Sequence, residues 1–349
     1  MKNPKLVKPR IVAFEVTNQC RYQCLHCRAN ASQEASEQEL TTSQCKKILA
    51  GLAQYAKCVV ILTGGEPLER ADIYELLQFG HGLGHRMALA TSGYPINEAV
   101  IEQLKQLNLL SLSFSLDGAD AETHDTFRAV PGAFVTTLNA SKQSRQKGVR
   151  FQINTAVTRR NVDQISEIAN LAQSLGATCF NPFILVPMGR GSKLVHEGLA
   201  PAQYETFLND LNKLKRKLDI EVRVTCGPQF GRIVAANESR EKGNHCRTTG
   251  CLAGTDFAFI SYRGHVQTCG FLELSAGNLL DHNYNFEDLW KNSVLLQQVR
   301  DRTQLKGVCG HCQYTMQCGG CRARAYALTG DVLGDDPICI YTNTNFQRA

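Results

Sequence analysis

Three cysteines near the N-terminus are spaced so that their thiolates can share one multi-iron cluster. Cys20, Cys24 and Cys27 follow the pattern C-x3-C-x2-C. Three ligands leave one iron of a four-iron cluster without a protein donor, whereas the ordinary ferredoxin run supplies a fourth cysteine. A small molecule that chelates the open iron can receive an electron from it. The triplet therefore predicts a catalytic redox site with an exchangeable ligand.

Zinc is the alternative occupant of this triplet, because clustered cysteines in cytosolic proteins are commonly zinc ligands. A closed zinc site needs four ligands, and the next cysteine in the chain is Cys45. His26 is available as a fourth ligand, but its position between two of the cysteines would strain the geometry. The spacing favours an iron–sulfur cluster and leaves zinc open.

Composition and charge narrow the class of protein. The chain has 349 residues, of which 43% are apolar and 20% charged, as in ordinary globular proteins. It has no apolar run long enough to span a membrane, and its charged N-terminus lacks the apolar core of a signal peptide. The net charge of +6 comes without a conspicuous basic run, which argues against a nucleic-acid partner. We expect a cytoplasmic enzyme that acts on a small molecule.

Fifteen cysteines in such a chain require an explanation. Eleven of them form three groups, at positions 20–27, 246–269 and 309–339. In a protein that is not exported, close C-x2-C spacings indicate metal binding rather than disulfides. The other four are scattered, and we expect them to be small buried hydrophobic residues. They are Cys45, Cys58, Cys179 and Cys226.

Residues 11 to about 225 alternate β-branched runs with helical periods, as in a parallel α/β fold. The predicted strands are Ile11–Thr17, Val59–Thr63, Met87–Thr91, Leu110–Leu116, Phe151–Val157 and Thr178–Leu185. Helices between them carry apolar residues on one face, as at Ile48, Leu49 and Leu52. Six strand–helix units, rather than eight, predict a partial (β/α)6 TIM-like barrel that is open on one side. In such folds the chemistry lies at the carboxyl ends of the strands, where the cysteine loop falls.

The pattern changes after about residue 230. Glycine- and cysteine-rich loops replace the helical periods, and they are broken by strand-like pieces at Asp256–Tyr262 and His265–Thr268 and by one helix near Phe286–Arg300. Such a segment can bury little apolar core of its own, so metal clusters would supply the crosslinks. We predict two domains, at residues 9–230 and 231–349.

The ends of four predicted strands carry residues suited to a nucleotide-like ligand. Gly64 and Gly65 let the backbone approach a ligand closely, and Pro67 fixes the direction in which the chain leaves this segment. The other strand ends are Thr91-Ser92-Gly93, Ser113 through Gly118, and Thr155 through Thr158. Ordinary strand termination is the alternative for the last three.

The cysteine triplet followed by Gly64-Gly65-Glu66-Pro67 resembles the signature of the radical S-adenosylmethionine (SAM) superfamily. The resemblance implies that SAM binds the open iron of a [4Fe-4S] cluster and is reductively cleaved to a 5′-deoxyadenosyl radical. It implies that the GGEP segment binds the amino group of SAM and that later strand ends contribute further contacts. The implied SAM-binding residues are Gly64, Gly65, Glu66, Pro67, Thr91, Ser92, Ser115, Asp117 and Thr155.

The C-terminal cysteines resemble the SPASM domain, an extension that holds auxiliary four-iron clusters in many radical SAM enzymes. Those domains usually have three residues between the last two cysteines of the tight group, where this chain has two, between Cys318 and Cys321. This departure leaves open how the ligands divide between clusters and whether there are one or two clusters. A pair of zinc sites is the alternative. By analogy, one cluster takes Cys309, Cys312, Cys318 and Cys339, and a second takes Cys246, Cys251, Cys269 and Cys321.

The segments CLHCRANAS and CRARAYALTGDVLGDDPIC resemble those of one branch, the tetrapyrrole-tailoring radical SAM enzymes, above all the haem b synthases of the sirohaem-dependent pathway. This implies oxidative decarboxylation of two propionates of iron-coproporphyrin III to vinyl groups, with an external low-potential electron donor. Removal of acetate groups from didecarboxysirohaem, haem d1 formation and peptide maturation are the alternatives. His265, His311, Arg322 and Arg324 either contact an acidic substrate or stabilise the loops around them.

Overall fold

The computed structural model describes residues 7–238 and 250–342. Strands and helices alternate through the first part of the chain, as the sequence predicts. The strands are β1 (Ile11–Thr17), β2 (Val59–Gly64), β3 (Arg86–Ala90), β4 (Leu112–Ser115), β5 (Phe151–Val157), β6 (Cys179–Ile184) and β7 (Glu221–Val222). The helices are α1 (Thr42–Tyr55), α2 (Ile73–Gly82), α3 (Glu98–Gln106), α4 (Ala121–Arg128), α5 (Ala133–Gln146), α6 (Ile165–Leu175), α7 (Pro201–Lys215) and α8 (Phe230–Glu238). Short 3₁₀ turns lie at Pro67–Glu69, Val162–Gln164 and Gly189–Glu197.

The C-terminal part adds three short strands and four helices in the residues that the structure describes. These are β8 (Phe257–Ile260), β9 (His265–Gln267), β10 (Gly277–Asn278), α9 (Phe286–Asn292), α10 (Val294–Arg300), α11 (Gly307–His311) and α12 (Arg322–Thr329), with 3₁₀ turns at Arg302–Gln304 and Ile340–Thr342. The single helix predicted near residues 286–300 is wrong in detail. Ser293 has extended backbone angles and divides it into α9 and α10.

All ten strands belong to one sheet, in the order β10-β9-β8-β1-β2-β3-β4-β5-β6-β7. Strands β1 to β7 pair in parallel, which confirms the partial barrel. Strand β8 extends the sheet, because it pairs in parallel with the free edge of β1, with Ile11 opposite Phe257 and Phe14 opposite Ile260. The sheet therefore crosses the boundary proposed at residue 230, which remains a prediction.

The main core lies between the sheet and the helices outside it. Strand β1 is buried over nearly its whole length, as expected of a strand with neighbours on both edges and helices on its outer face. Helix α1 packs Ile48, Leu49 and Leu52 inward, and a capping box between Thr41 and Gln44 fixes its start. The C-terminal apolar residues join this same core rather than forming a separate one.

Trp290 fastens the C-terminal helices to the barrel. Its ring is fully buried and stacks on Phe286 with the ring centroids 5.7 Å apart. Its indole N–H donates to the carbonyl of Val7 at 3.1 Å, and Arg300 lies over the ring. The apolar part of the indole is therefore buried, and its single donor has a hydrogen-bond partner.

We predict that Trp290→Ala lowers the free energy of unfolding by about 3–5 kcal/mol, because it leaves a cavity in the shared core. Denaturant unfolding under anaerobic conditions measures the change. Val294→Ala is the matched control, since Val294 is 74% exposed and its replacement should stay within about 0.5 kcal/mol. Equal effects of the two variants would contradict a shared core at this position.

Candidate functional site

The cysteine loop leaves the carboxyl end of β1 and packs directly against the end of β2. The N–H of Gly65 donates to the carbonyl of Thr17 at 2.8 Å, and that of Glu66 donates to the carbonyl of Gln19 at 2.6 Å. A Cβ added to Gly65 would lie 2.0 Å from the oxygen of Gln19. Gly65 is therefore required for the close approach of the segment after β2 to the cysteine loop, a partner that the sequence did not identify.

The three thiols of the triplet lie together in this loop. Cys20 and Cys24 are buried and Cys27 is half-buried, in a small apolar cluster with Tyr22. Burial raises the pKa of the Cys20 thiol to about 12, and it also raises the pKa of Cys24. Thiols bind metal as thiolates, so the charge of a bound metal group would offset this cost and displace the protons.

Glu66 connects the GGEP segment to the end of β3. One carboxylate oxygen accepts from the Thr91 hydroxyl at 2.8 Å and from the N–H of Leu68 at 3.2 Å. The other accepts from the N–H of Ser92 at 2.8 Å and from its hydroxyl at 2.5 Å. Burial raises the pKa of the carboxyl despite these donors. Three of the predicted SAM-binding positions, Glu66, Thr91 and Ser92, thus form one hydrogen-bonded unit.

Asp117 holds an arginine against the cysteine loop. Its carboxylate is buried, and it lies 2.6 Å from Nη2 of Arg128 while accepting from the N–H of Ala156 at 2.7 Å. Nη1 of Arg128, at the end of α4, donates to Sγ of Cys24 at 3.7 Å. Although burial alone would raise it, the pKa of Asp117 is lowered by this guanidinium and the neighbouring histidines. Asp117 was predicted as a SAM contact, and the structure directs its carboxylate to Arg128.

The two histidines beside this pair are held neutral. Burial lowers the pKa of His26 and of His124 to about 4. His26 stacks on Phe127 with ring centroids 4.2 Å apart, and its Nε2 lies 3.7 Å from Asp117. His26 thus faces Asp117 in the site, although it was the alternative fourth zinc ligand by sequence.

Two further predicted SAM-binding residues lie at strand ends as expected. Ser115 is half-buried at the last position of β4. Thr155 is fully buried, and its hydroxyl donates to the carbonyl of Leu116 at 2.6 Å. This contact gives the Thr155 hydroxyl a partner on the neighbouring strand end.

Sequence reasoning missed Arg190, which closes the far side of the cysteine loop. Its guanidinium donates to the carbonyl of Cys24 at 2.9 Å and to that of Ala31 at 2.7 Å. The backbone N–H of Arg190 donates to the carbonyl of Cys27 at 2.9 Å. Gly189 has φ +54°, and a Cβ there would lie 2.3 Å from the oxygen of Arg28. The sequence Met-Gly-Arg-Gly after β6, with glycines on both sides of an arginine, was the available signal.

One group of C-terminal cysteines lines a single recess. The lining includes the four that the SPASM resemblance assigns to one cluster, namely Cys309, Cys312, Cys318 and Cys339. Several donors point at their sulfurs. The N–H groups of Tyr314 and Gly320 approach Cys312 and Cys318 at 3.4 Å each, and Arg322 approaches Cys309 at 3.9 Å. Such donors stabilise thiolate ligands, so the recess suits an iron–sulfur cluster.

A second group surrounds Cys321, which packs with Cys226 and Cys269 in an apolar cluster that also contains Met188. Burial raises the pKa of the Cys269 thiol to about 12, and the neighbouring thiols of Cys251 and Cys321 raise it further. Cys246, the fourth member predicted for this set, lies outside the described residues. Cys45, Cys58 and Cys179 are buried as predicted, whereas Cys226 is half-buried and belongs to this group.

Arg28 spans the space between the N-terminal loop and this second group. Its guanidinium pairs with Glu15 at 2.8 Å, donates to the carbonyl of Gly270 at 3.3 Å, and lies over the ring of Phe259. Arg28 follows Cys27 directly, and Gly270 follows Cys269. The residue next to one cysteine group therefore contacts the residue next to a cysteine of the other group.

Three of the other residues singled out by sequence have structural partners. Arg324 is buried and forms an ion pair with Asp336 at 2.8 Å, and Arg322 donates to the carbonyl of Gly334 at 2.6 Å. His265 makes a 3.0 Å hydrogen bond with Ser275. These contacts favour the loop-stabilising alternative for all three.

The described part of the chain contains no helix that is both long and apolar enough to cross a membrane.

Comparison with known proteins identifies two domains and the relatives of the chain. The family model for the radical SAM superfamily matches residues 14–172, and that for an iron–sulfur cluster-binding domain, SPASM, matches residues 251–313. The chain is 40% identical over 95% of its length to the "AdoMet-dependent heme synthase" of Methanosarcina barkeri (strain Fusaro / DSM 804), of which 97% is covered. It is 28% identical over 96% of its length to the "Fe-coproporphyrin III synthase" of the same organism, of which 88% is covered.

Solved structures agree on the fold. Streptococcus suis SuiB, solved bound to S-adenosylmethionine, superposes with a TM-score of 0.75 at 17% identity, over 95% of this chain and 77% of that one. A radical SAM domain implies a [4Fe-4S] cluster and SAM, and a SPASM domain implies auxiliary clusters, which replaces the zinc alternatives. The chain belongs to the radical SAM superfamily and carries a C-terminal SPASM domain.

Proposed function

We propose that the chain is a haem b synthase that converts two propionates of iron-coproporphyrin III into vinyl groups. The observation that carries this proposal is the 40% identity, over nearly the full length of both chains, to a protein named AdoMet-dependent heme synthase. Removal of acetate groups from didecarboxysirohaem is the second candidate, because the chain is also 28% identical to a protein named Fe-coproporphyrin III synthase.

The proposed ligand sets follow the grouping of the cysteines in space. Cys20, Cys24 and Cys27 would hold the catalytic cluster, with the fourth iron open to SAM. Cys309, Cys312, Cys318 and Cys339 would hold one auxiliary cluster in their recess. Cys251, Cys269 and Cys321 would hold a second, with Cys246 as the fourth ligand. Cysteines that bind one four-iron cluster each take a different iron.

The SAM site would be shaped by the hydrogen-bonded unit around Glu66. Because its carboxylate is already engaged by Thr91 and Ser92, Glu66 would fix the positions of these strand ends. The Gly64–Pro67 segment would then meet the amino group of SAM. Arg128 would donate to the Cys24 thiolate and be kept in place by Asp117.

The reaction needs both a radical source and an electron acceptor. Loss of one hydrogen atom from the β-carbon of a propionate, release of carbon dioxide and removal of one electron leave a vinyl group. When bound, the SAM-ligated cluster supplies the 5′-deoxyadenosyl radical that takes the hydrogen atom, and an auxiliary cluster supplies the acceptor. The chain's own residues orient the substrate and keep water from the radical.

Arg28 is our candidate for holding a substrate carboxylate between the two cysteine groups. Its pairing with Glu15 and Gly270 orients the guanidinium, and a planar guanidinium matches a carboxylate with two parallel hydrogen bonds.

An external low-potential electron donor would reduce the catalytic cluster. We also propose a cytoplasmic location, since the described cysteines are unpaired thiols of the kind that a reducing compartment preserves.

Replacing Cys20, Cys24 and Cys27 together with alanine should abolish the cleavage of SAM and leave the absorbance of the auxiliary clusters. Chromatography of 5′-deoxyadenosine and iron analysis of the same sample measure the two effects. The control is Cys179→Ala, which removes a buried thiol from β6. If the triple variant still formed 5′-deoxyadenosine, the catalytic cluster would have to lie elsewhere.

Glu66→Gln should weaken SAM binding about tenfold or more, because an amide cannot accept all the hydrogen bonds that the carboxylate accepts from Ser92 and Thr91. Equilibrium dialysis of SAM with the reconstituted variant measures the dissociation constant. Glu75→Gln, at an exposed glutamate of α2, should bind SAM as the unaltered protein does. Unchanged binding by Glu66→Gln would remove Glu66 from the proposed SAM site.

With iron-coproporphyrin III, SAM and a strong reductant, the protein should yield a monovinyl intermediate and then haem b. Each step should consume one SAM and release one carbon dioxide, as mass analysis of the porphyrin and SAM counting will show. Cys339→Ala should reduce vinyl formation more than 5′-deoxyadenosine formation, because radical generation and electron removal use different clusters. If iron-coproporphyrin III returned unchanged and didecarboxysirohaem lost its acetates, the second candidate would replace the first. A failure of both tetrapyrroles would direct the search to peptide substrates.

A further inference from the structure

Arg232 is a buried cation beside the first group of C-terminal cysteines. It lies in helix α8 and is 6% exposed. Its side chain lines the same recess as Cys309, Cys312, Cys318 and Cys339. A buried charge is costly unless it is paired and hydrogen-bonded. The partners of the Arg232 guanidinium therefore indicate what this charge does in the recess.

Glu205 of helix α7 holds the guanidinium by both of its terminal nitrogens. Nη1 of Arg232 donates to Oε1 of Glu205 at 2.8 Å, and Nη2 donates to Oε2. Two parallel hydrogen bonds of this kind fix the plane of the guanidinium as well as its position. The guanidinium also lies over the ring of Tyr341, 4.8 Å from the ring centroid. These contacts give Arg232 one orientation in the lining of the recess.

The third guanidinium nitrogen, Nε, has no such partner. It is buried, and no residue in the described part of the chain accepts its N–H. A buried donor without an acceptor is costly, so a group bound in the recess would supply the acceptor that Nε lacks. The recess already directs N–H groups to sulfur, since those of Tyr314 and Gly320 approach Cys312 and Cys318 at 3.4 Å each.

We propose that Arg232 donates its Nε–H to a sulfur atom of the auxiliary cluster in this recess, and that the hydrogen bond raises the reduction potential of that cluster. The inference rests on the ligand set proposed above. All four cysteines of that set lie in the part of the chain that the structure describes.

The physical basis is the charge that the cluster gains on reduction. One electron adds one negative charge, so an N–H donor stabilises the reduced cluster more than the oxidised one and shifts the potential upward. The hydrogen bond from a guanidinium is charge-assisted, and burial strengthens it further. A higher potential suits a cluster that takes up the electron which the substrate radical loses when carbon dioxide departs.

The test uses two variants of the full, reconstituted chain that keep the summed charge of the Arg232–Glu205 pair. Arg232→Lys retains a cation for Glu205, but a methylene group takes the place of Nε–H. Arg232→Met combined with Glu205→Gln replaces the pair by neutral groups and leaves no carboxylate unpaired. The matched control is Arg223→Lys, because Arg223 forms an exposed bidentate pair with Glu221.

Iron content and redox titration, followed by electron paramagnetic resonance without substrate, are the measurements. The signal that Cys339→Ala removes identifies the cluster of the recess. At a fixed potential near the midpoint, the ratio of reduced to oxidised cluster should fall about tenfold in both Arg232 variants, which for one electron is a shift of about 59 mV. Iron content should not change, and Arg223→Lys should titrate as the unaltered protein does. If one Arg232 variant failed to fold, the other decides.

Three results would overturn the proposal and leave the proposed function intact. Titrations that match Arg223→Lys would show that Arg232 does not act on the cluster. A lower potential in the double variant alone would make the charge of Arg232, rather than its Nε–H, responsible. Loss of about four irons from both variants would make Arg232 a requirement for cluster assembly. Absence of any signal that depends on Cys339 in the unaltered protein would instead refute the proposed ligand set, and the role of Arg232 with it.

Discussion

Strand β1 is hydrogen-bonded on both edges, and the arrangement of the candidate site depends on this double pairing. Strand β2 on one side brings the Gly64–Pro67 segment to the cysteine loop, and β8 on the other brings the C-terminal part of the chain to the same sheet. Because parallel strands end on the same side of a sheet, the loop after β1 lies between the two. Arg28, on that loop, contacts Phe259 of β8 and the carbonyl of Gly270.

Buried charge then fixes the details of the site. Glu66 and Asp117 are both fully buried carboxylates; Glu66 accepts from several donors, and Asp117 accepts from the N–H of Ala156 and pairs with Arg128. Glu66 joins two strand ends, whereas Asp117 holds Arg128 against Cys24. A buried charge without partners is costly, so replacing either carboxylate would disturb the partner that it holds as well as its own position. Through these contacts the cysteine triplet is connected to strand ends that are far away in sequence.

The sequence predicted the elements whose signal is local. Strands Ile11–Thr17 and Phe151–Val157 have the predicted bounds, because each is a continuous or alternating run of β-branched and aromatic residues. The cysteine groups and the GGEP segment were visible for the same reason. The pairing of β8 with β1 was not predicted, since it joins residues almost 250 positions apart through a strand of only four residues.

Interactions between distant residues account for the rest of what was missed. Arg128 and Arg190 lie more than a hundred positions from the cysteine loop that they contact, and no periodicity marks them. Cys226 looked like the other scattered cysteines, and only its neighbours in space distinguish it. Asp117 was located at the correct strand end, but its partner on α4 determines what it does. Sequence reasoning thus located the cysteine groups and missed several of the residues that contact them.

In the proposed reaction, a hydrogen atom is taken from the β-carbon of a propionate and the electron leaves by another route. The most direct test uses iron-coproporphyrin III that carries deuterium at the β-carbons of its propionates, with SAM and a reductant under anaerobic conditions. The account predicts that each vinyl group formed places one deuterium in 5′-deoxyadenosine, as mass spectrometry will detect. Unlabelled 5′-deoxyadenosine, formed beside a vinyl product that keeps all its deuterium, would contradict it.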